Sequence, residues 1–126
     1  MNIKEIKKFF KHDYPRLSLL ATGRYLSMSA IKAGAVNILK KGRHGYYQNV
    51  FNLISTTIAK LENTAVHPYK TLIIEYYINN KRLKDIGSLI GYKHTAVCKK
   101  LNEALRWLAT EYNKQAAELN FEFKFQ

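Results

Sequence analysis

The spacing of apolar side chains along the chain predicts helices. Between residues 46 and 62 they recur mostly at intervals of three or four, as on the inner face of an amphipathic helix. These residues are Tyr47, Val50, Phe51, Ile54, Ile58 and Leu61. Residues 2–12 predict an earlier helix, capped by Asn2 and carrying Ile3, Ile6, Phe9 and Phe10 on its apolar face.

Proline and glycine indicate where the N-terminal half changes direction. The Tyr14-Pro15 pair is expected to end the first helix or turn the chain, because the residue before a proline disfavours the helical conformation. A second helical piece is expected to follow and to break near Thr22 and Gly23. The basic residues 40–44 predict a loop, and residues 30–39 are compatible with a helix before it.

Residues 68–108 predict a short helix, a connector and two further helices that meet at a tight turn. Helices that cross steeply need a small residue where they touch, and Gly87 supplies it at a cost of about 1 kcal/mol relative to alanine. Gly91 lies where a left-handed helix ending is expected. The apolar positions form the predicted core: Ile86, Ile90, Val97, Leu101, Leu105 and Leu108. A helical hairpin without a DNA role would share this pattern.

The side chains outside that core favour a nucleic-acid partner. Those at the start of the last helix are polar or small, none is acidic, and recognition helices contact bases with their first residues. The predicted base-contacting residues are Lys93, His94, Thr95, Cys98, Lys99 and Asn102. Residues 81–100 hold six Lys or Arg against one acid, a net charge of +5. Phosphate contacts are therefore predicted for Lys81, Arg82, Lys84, Lys100 and Arg106.

The same segment resembles a known family. It has Pro68, then Tyr76 and Tyr77, then D-I-G-S-L-I-G over residues 85–91, then Val97, then A-L-R-W-L over residues 104–108. This order is similar to the fourth region of bacterial sigma factors, whose turn helix reads E-I-A-x-x-L-G. Gly87 stands where the family usually has alanine, and Lys100 stands at a position that is more often apolar, with Leu101 serving instead.

In overall size the chain resembles the ArpU-type late-transcription regulators of phages and prophages, which place a variable helical half before such a helix-turn-helix. The resemblance implies an all-α fold with a long C-terminal helix, and a sequence-specific, double-stranded-DNA-binding transcription regulator. Two other classes stay open at this point. One is a DNA-packaging component like a small terminase subunit, and the other is an adaptor that binds RNA polymerase or a sigma factor.

Composition agrees with a nucleic-acid partner. The 126 residues carry a net charge of +12, and the length allows one or two small domains. We divide the chain into a basic helical region, 1–63, and a helix-turn-helix region, 64–126, with net charges of +8 and +4. The basic segment of the first region predicts an arm along the DNA backbone, with a flexible, solvated loop as the alternative. Its cations are Lys40, Lys41 and Arg43.

The chain shows no pattern of an enzyme or of a cofactor site. His94 and Cys98 are four residues apart and could share a metal, but a structural zinc site needs four ligands. A metal-dependent nuclease needs clustered carboxylates, and the only aspartates are Asp13 and Asp85. The lone cysteine fits a reducing compartment, and no segment predicts a membrane span or a signal peptide, so we expect a cytoplasmic protein.

The C-terminal residues raise the question of a further partner. The last helix is expected to continue to about Leu119, and its apolar face could form a homodimer seam or pack against the N-terminal helices. Beyond it, Phe121, Phe123 and Phe125 alternate with polar residues, a strand-like pattern. Such a tail is expected to dock on its own domain, on a second subunit or on RNA polymerase.

Overall fold

The computed structural model describes residues 2–34 and 42–126, which form helices and no strands. The elements are α1 (Ile3–Lys8), a π-helical turn π1 (Phe9–Asp13), α2 (Tyr14–Thr22), α3 (Met28–Gly34), α4 (Gly42–Ala59), α5 (Tyr69–Ile73), a second π-helical turn π2 (Ile74–Ile78), α6 (Leu83–Ile90) and α7 (His94–Glu118). The predicted all-α class and the long C-terminal helix are confirmed.

The first helix begins as predicted but does not end at Tyr14-Pro15. The Asn2 Oδ1 atom accepts a hydrogen bond of 2.9 Å from the Lys4 N–H and so caps α1. The chain then passes through π1, where the Tyr14 N–H bonds to the carbonyl of Phe9, and continues into α2. The predicted break was wrong because Pro15 falls in the first turn after a wider π turn. At this position the hydrogen-bonding pattern changes from π-helical to α-helical, so the missing N–H of proline costs the helix little.

The other boundaries of the N-terminal half follow the prediction in part. Helix α2 ends at Gly23, whose φ of 71° is left-handed and whose N–H donates to the Leu19 carbonyl at 2.9 Å. Helix α4 contains most of the predicted helix of residues 46–62 but begins four residues earlier. Residues 42–44 are therefore helical, and the predicted loop was wrong there. Lys40 and Lys41 lie outside the described residues, as does the second half of the helix suggested for residues 30–39.

Helix α7 is the shared support of the fold. Helices α1, α4, α5 and α6 all pack against it, so both halves of the chain contribute to one core. Its buried side chains are Val97, Leu101, Ala104, Leu105, Leu108, Ala109, Tyr112 and Ala116. The apolar face of α7 is thus covered within the chain. The Tyr14 hydroxyl pairs with Ser55 Oγ at 2.8 Å, which joins α2 to α4.

The phenylalanine tail docks on its own domain, and the predicted strand was wrong. After α7, Asn120 adopts a φ of 54°, and the Phe121 N–H donates to the Ala116 carbonyl at 2.7 Å, so the chain folds back. The Asn113 side chain then hydrogen-bonds both the N–H and the carbonyl of Phe125, each at 2.7 Å. One amide side chain therefore satisfies the backbone groups that a neighbouring strand would otherwise pair.

The rings of the tail complete the aromatic part of the core. The Phe125 ring lies 5.0 Å from the ring of Phe9 and 5.4 Å from that of Tyr112, both edge-on, and 5.9 Å from that of Phe10. Edge-on aromatic pairs add to the stabilisation that burial alone provides. The tail therefore holds π1 against α7.

We expect Phe125→Ala to lower the free energy of unfolding by about 2 kcal/mol, because a partly buried ring with several aromatic neighbours is lost. Lys124→Ala is the matched control, since Lys124 is exposed in the same tail. Urea titration followed by circular dichroism measures both. Equal stability of the two variants would contradict the docking of the tail.

Candidate nucleic-acid interface

The turn between α6 and α7 depends on a close backbone approach at Gly87. A Cβ atom added at this position would lie 2.7 Å from the Tyr92 carbonyl oxygen and 3.0 Å from Val97 Cγ2. The first distance is shorter than real Cβ contacts, so only glycine fits without a shift of the backbone. The predicted need for a small residue is confirmed, and it is the turn and the start of α7 that require it.

Gly91 and Tyr92 set the direction of the turn. Gly91 has a φ of 75°, and the Tyr92 N–H donates to the Gly87 carbonyl at 2.8 Å, the long bond of a Schellman motif. The Tyr92 hydroxyl reaches the Ala65 carbonyl at 2.6 Å and so ties the turn to the connector before α5. Sequence reasoning found the glycine but missed the tyrosine, because its partner is 27 residues away.

The connector is braced by its own side chains. The Glu62 carboxylate accepts a hydrogen bond from Thr64 Oγ1 and pairs with His67 Nδ1, each at 2.9 Å. The bonds to Thr64 and His67 lower the pKa of Glu62 below its ordinary value. The Ala65 carbonyl, which accepts the hydrogen bond from the Tyr92 hydroxyl, therefore belongs to an ordered turn.

The first turn of α7 is exposed and free of acids. Lys93 is the N-cap and makes no side-chain capping bond, and the side chains of Lys93, His94, Thr95 and Lys99 are exposed. The first intrahelical bond of this turn runs from the Val97 N–H to the Lys93 carbonyl. The preceding N–H groups and the helix dipole thus present positive charge at the same place as the lysines.

Two of the predicted base-contacting residues are partly covered. Cys98 and Asn102 are half-buried, and both line a groove between α7 and the first helix. The Asn102 Oδ1 atom is buried and has no hydrogen-bond partner within the part of the chain that the structure describes. The expectation of full exposure was wrong because α1 packs on α7 beside them. A base contact from Asn102 requires its side chain to rotate out.

Three of the predicted phosphate-contacting cations hold carboxylates of the chain itself. Lys81 pairs with Glu75, Arg82 with Asp85 at 3.1 Å, and Lys100 with Glu103 at 3.1 Å. The hydrogen bond from Lys81 holds the pKa of Glu75 below its ordinary value. Part of the positive charge counted along the sequence is therefore neutralised locally.

The other cations predicted to contact phosphates fall into two groups, according to whether the structure describes their side chains. Lys84 and Arg106 are exposed and have no carboxylate partner among the described residues. Lys40 and Lys41 lie outside the described residues, and for Arg43 the structure describes the helical backbone alone. Lys100 stands where the sigma-like pattern more often has an apolar residue. It is half-buried beside Glu103, and the neighbouring Leu101 occupies the core in its place.

Within residues 2–34 and 42–126, no three His, Cys, Asp or Glu side chains come together as metal ligands. Cys98 Sγ lies 3.9 Å from His94 Nδ1. None of the helices described is both long enough and apolar enough to cross a membrane.

Comparison of the chain with protein-family models, with curated proteins and with solved structures found no match.

We expect Gly87→Ala to lower the free energy of unfolding by about 1–3 kcal/mol, although alanine favours helices, because the new methyl group overlaps the Tyr92 carbonyl. Ser88→Ala is the control, since residue 88 is exposed on the same helix. Thermal unfolding measures both. A Gly87→Ala protein as stable as the Ser88→Ala protein would show that the backbones do not touch there.

Proposed function

We propose that the protein is a sequence-specific, double-stranded-DNA-binding regulator of transcription that inserts the start of α7 into the major groove. The observation that carries the proposal is the exposed, acid-free and cationic first turn of α7, held outward by a glycine-dependent turn. Free N–H groups begin every α-helix, so the features that favour the proposal are the fixed direction of this turn and its lysines, which have no carboxylate partner among the described residues.

The dimensions of the helix and of the groove agree with this role. An α-helix with its side chains is about 10–12 Å across, and the major groove of DNA is about 12 Å wide. From His94 to Lys99 the helix rises by about 7.5 Å, so its exposed residues span neighbouring base pairs. Lysine and threonine side chains have hydrogen-bonding partners on base edges, and the free N–H groups suit a phosphate.

Phosphate contacts are assigned to cations near that turn and further along α7. Lys84 and Arg106 are exposed and unpaired in the described part of the chain, so they contact phosphates without losing an internal partner. Lys81, Arg82 and Lys100 would exchange a carboxylate of the chain for a phosphate, which reduces their net contribution. The biological role in this proposal, control of phage or prophage late genes, rests on the resemblance in overall size and layout to the ArpU-type regulators.

We expect Lys99→Ala to weaken binding of a selected duplex about tenfold, because a lysine predicted to contact a base edge leaves the interface. The control is Lys114→Ala, another exposed lysine of α7 about 22 Å further along the helix. Fluorescence anisotropy with a labelled duplex at several salt concentrations measures both. If the two variants bind alike, the start of α7 is not the contact.

Glu75→Gln tests the local neutralisation of charge. It removes the carboxylate that holds Lys81, so we expect tighter binding of specific and random duplexes and a steeper salt dependence. Glu118→Gln, an exposed acid near the other end of α7, changes the net charge equally and is the control. An equal gain in DNA affinity in both variants would reflect overall charge and would contradict a contact between Lys81 and DNA.

A further inference from the structure

A cationic groove runs between the first helix and the helix-turn-helix, beside the recognition end of α7. Its volume is about 550 Å³. The floor includes Phe10, Tyr77 and Leu101, and the rim includes Asn80. Five cationic side chains line it: Lys7, Lys8, Lys11, Lys81 and Arg82. Neither the resemblance of residues 68–108 nor the charge of the sequence placed the first helix at this site.

The three lysines of α1 and π1 give the groove its unbalanced charge. Lys7, Lys8 and Lys11 are exposed, and none has a carboxylate partner within residues 2–34 and 42–126. The carboxylates nearest to the other two cations, Glu75 and Asp85, already pair with them. No acidic side chain of the described residues lines the groove. Such an arrangement attracts an anion.

The position of the groove indicates which anion. Cys98 and Asn102 of α7 line it, so it opens beside Lys99, one of the exposed residues that we assign to the major groove. When a recognition helix lies in the major groove, the sugar-phosphate backbones run along both of its sides. A backbone that leaves the major groove on this side of α7 would pass the groove and its lysines.

The fold holds these lysines in place. Phe9 and Phe10, which follow Lys8, are buried, and Phe10 packs edge-on against Tyr14 with ring centroids 5.5 Å apart. The docked tail covers the same helix through Phe125. The lysines therefore project from a helix that is fixed against α7, and an anion that they bind keeps a defined position relative to the recognition residues.

We infer that this groove binds the phosphodiester backbone of the DNA strand flanking the major-groove site, with Lys7, Lys8 and Lys11 as its phosphate contacts. The inference rests on the proposed function and extends it, because it makes the N-terminal helix part of the DNA interface. It also predicts a binding site longer than the stretch that α7 alone covers.

The test uses the full chain with Lys7, Lys8 and Lys11 all replaced by alanine. The control is an equal loss of charge at exposed lysines outside the groove, Lys60→Ala with Lys114→Ala and Lys124→Ala. On a duplex of about 30 base pairs selected from a random pool, we expect the groove variant to lower the salt slope by about 2–3 units. The control triple variant should keep the slope of the unmodified chain.

A second experiment, with a shorter duplex, separates the flanking phosphates from those next to α7. On a duplex cut to about 10 base pairs, one helical turn, the groove variant and the unmodified chain should bind alike, because the flanking phosphates are gone. A groove variant that matches the control on the long duplex overturns the inference and leaves the proposed function standing. Failure of the unmodified chain to bind any duplex overturns both.

Free nucleotides are the rival ligand with the same phosphate chemistry. Titration of the unmodified chain with a mononucleotide and with inorganic phosphate should leave binding of the long duplex unchanged at concentrations far below those that screen charge. Saturable competition by the mononucleotide, abolished in the groove variant, would assign the groove to a small phosphate ligand and overturn the inference. Thermal unfolding of every variant confirms that the fold is retained.

Discussion

The contact between Gly87 and the backbone of Tyr92 is the constraint on which the proposed interface depends. It brings α6 against the turn, and the left-handed Gly91 then starts α7 in a new direction. The Tyr92 hydroxyl fixes the same turn to the connector through the Ala65 carbonyl. The first two interactions involve backbone groups alone, and the third joins the Tyr92 side chain to a backbone carbonyl.

Helix α7 serves two functions along its length. Its first turn is exposed and cationic, whereas the side chains from Val97 to Ala116 that face inward hold both halves of the chain together. The docked tail closes the far end of that core through Asn113 and Phe125. A displacement of the first turn would therefore have to disturb the core, and this coupling keeps the proposed recognition residues in a defined position.

Several features could be predicted from the sequence because they arise locally. Gly87 and Gly91 are required by backbone geometry, and the cap at Asn2 follows from the composition of a single turn. The helix end predicted at Tyr14-Pro15 was wrong because the π-helical turn before Pro15 depends on tertiary packing, which a local sequence pattern does not show. The partial burial of Asn102 and the ion pair of Lys81 depend on which elements pack against each other. The spacing of residues along the sequence does not specify that packing.

The measurement that tests the account most directly is the acetylation rate of each lysine, by mass spectrometry, with and without a duplex selected from a random pool. The account predicts that DNA slows modification of Lys93 and Lys99 and leaves Lys114 and Lys124 unchanged. Protection confined to the C-terminal lysines, or equal protection of all four, would contradict it.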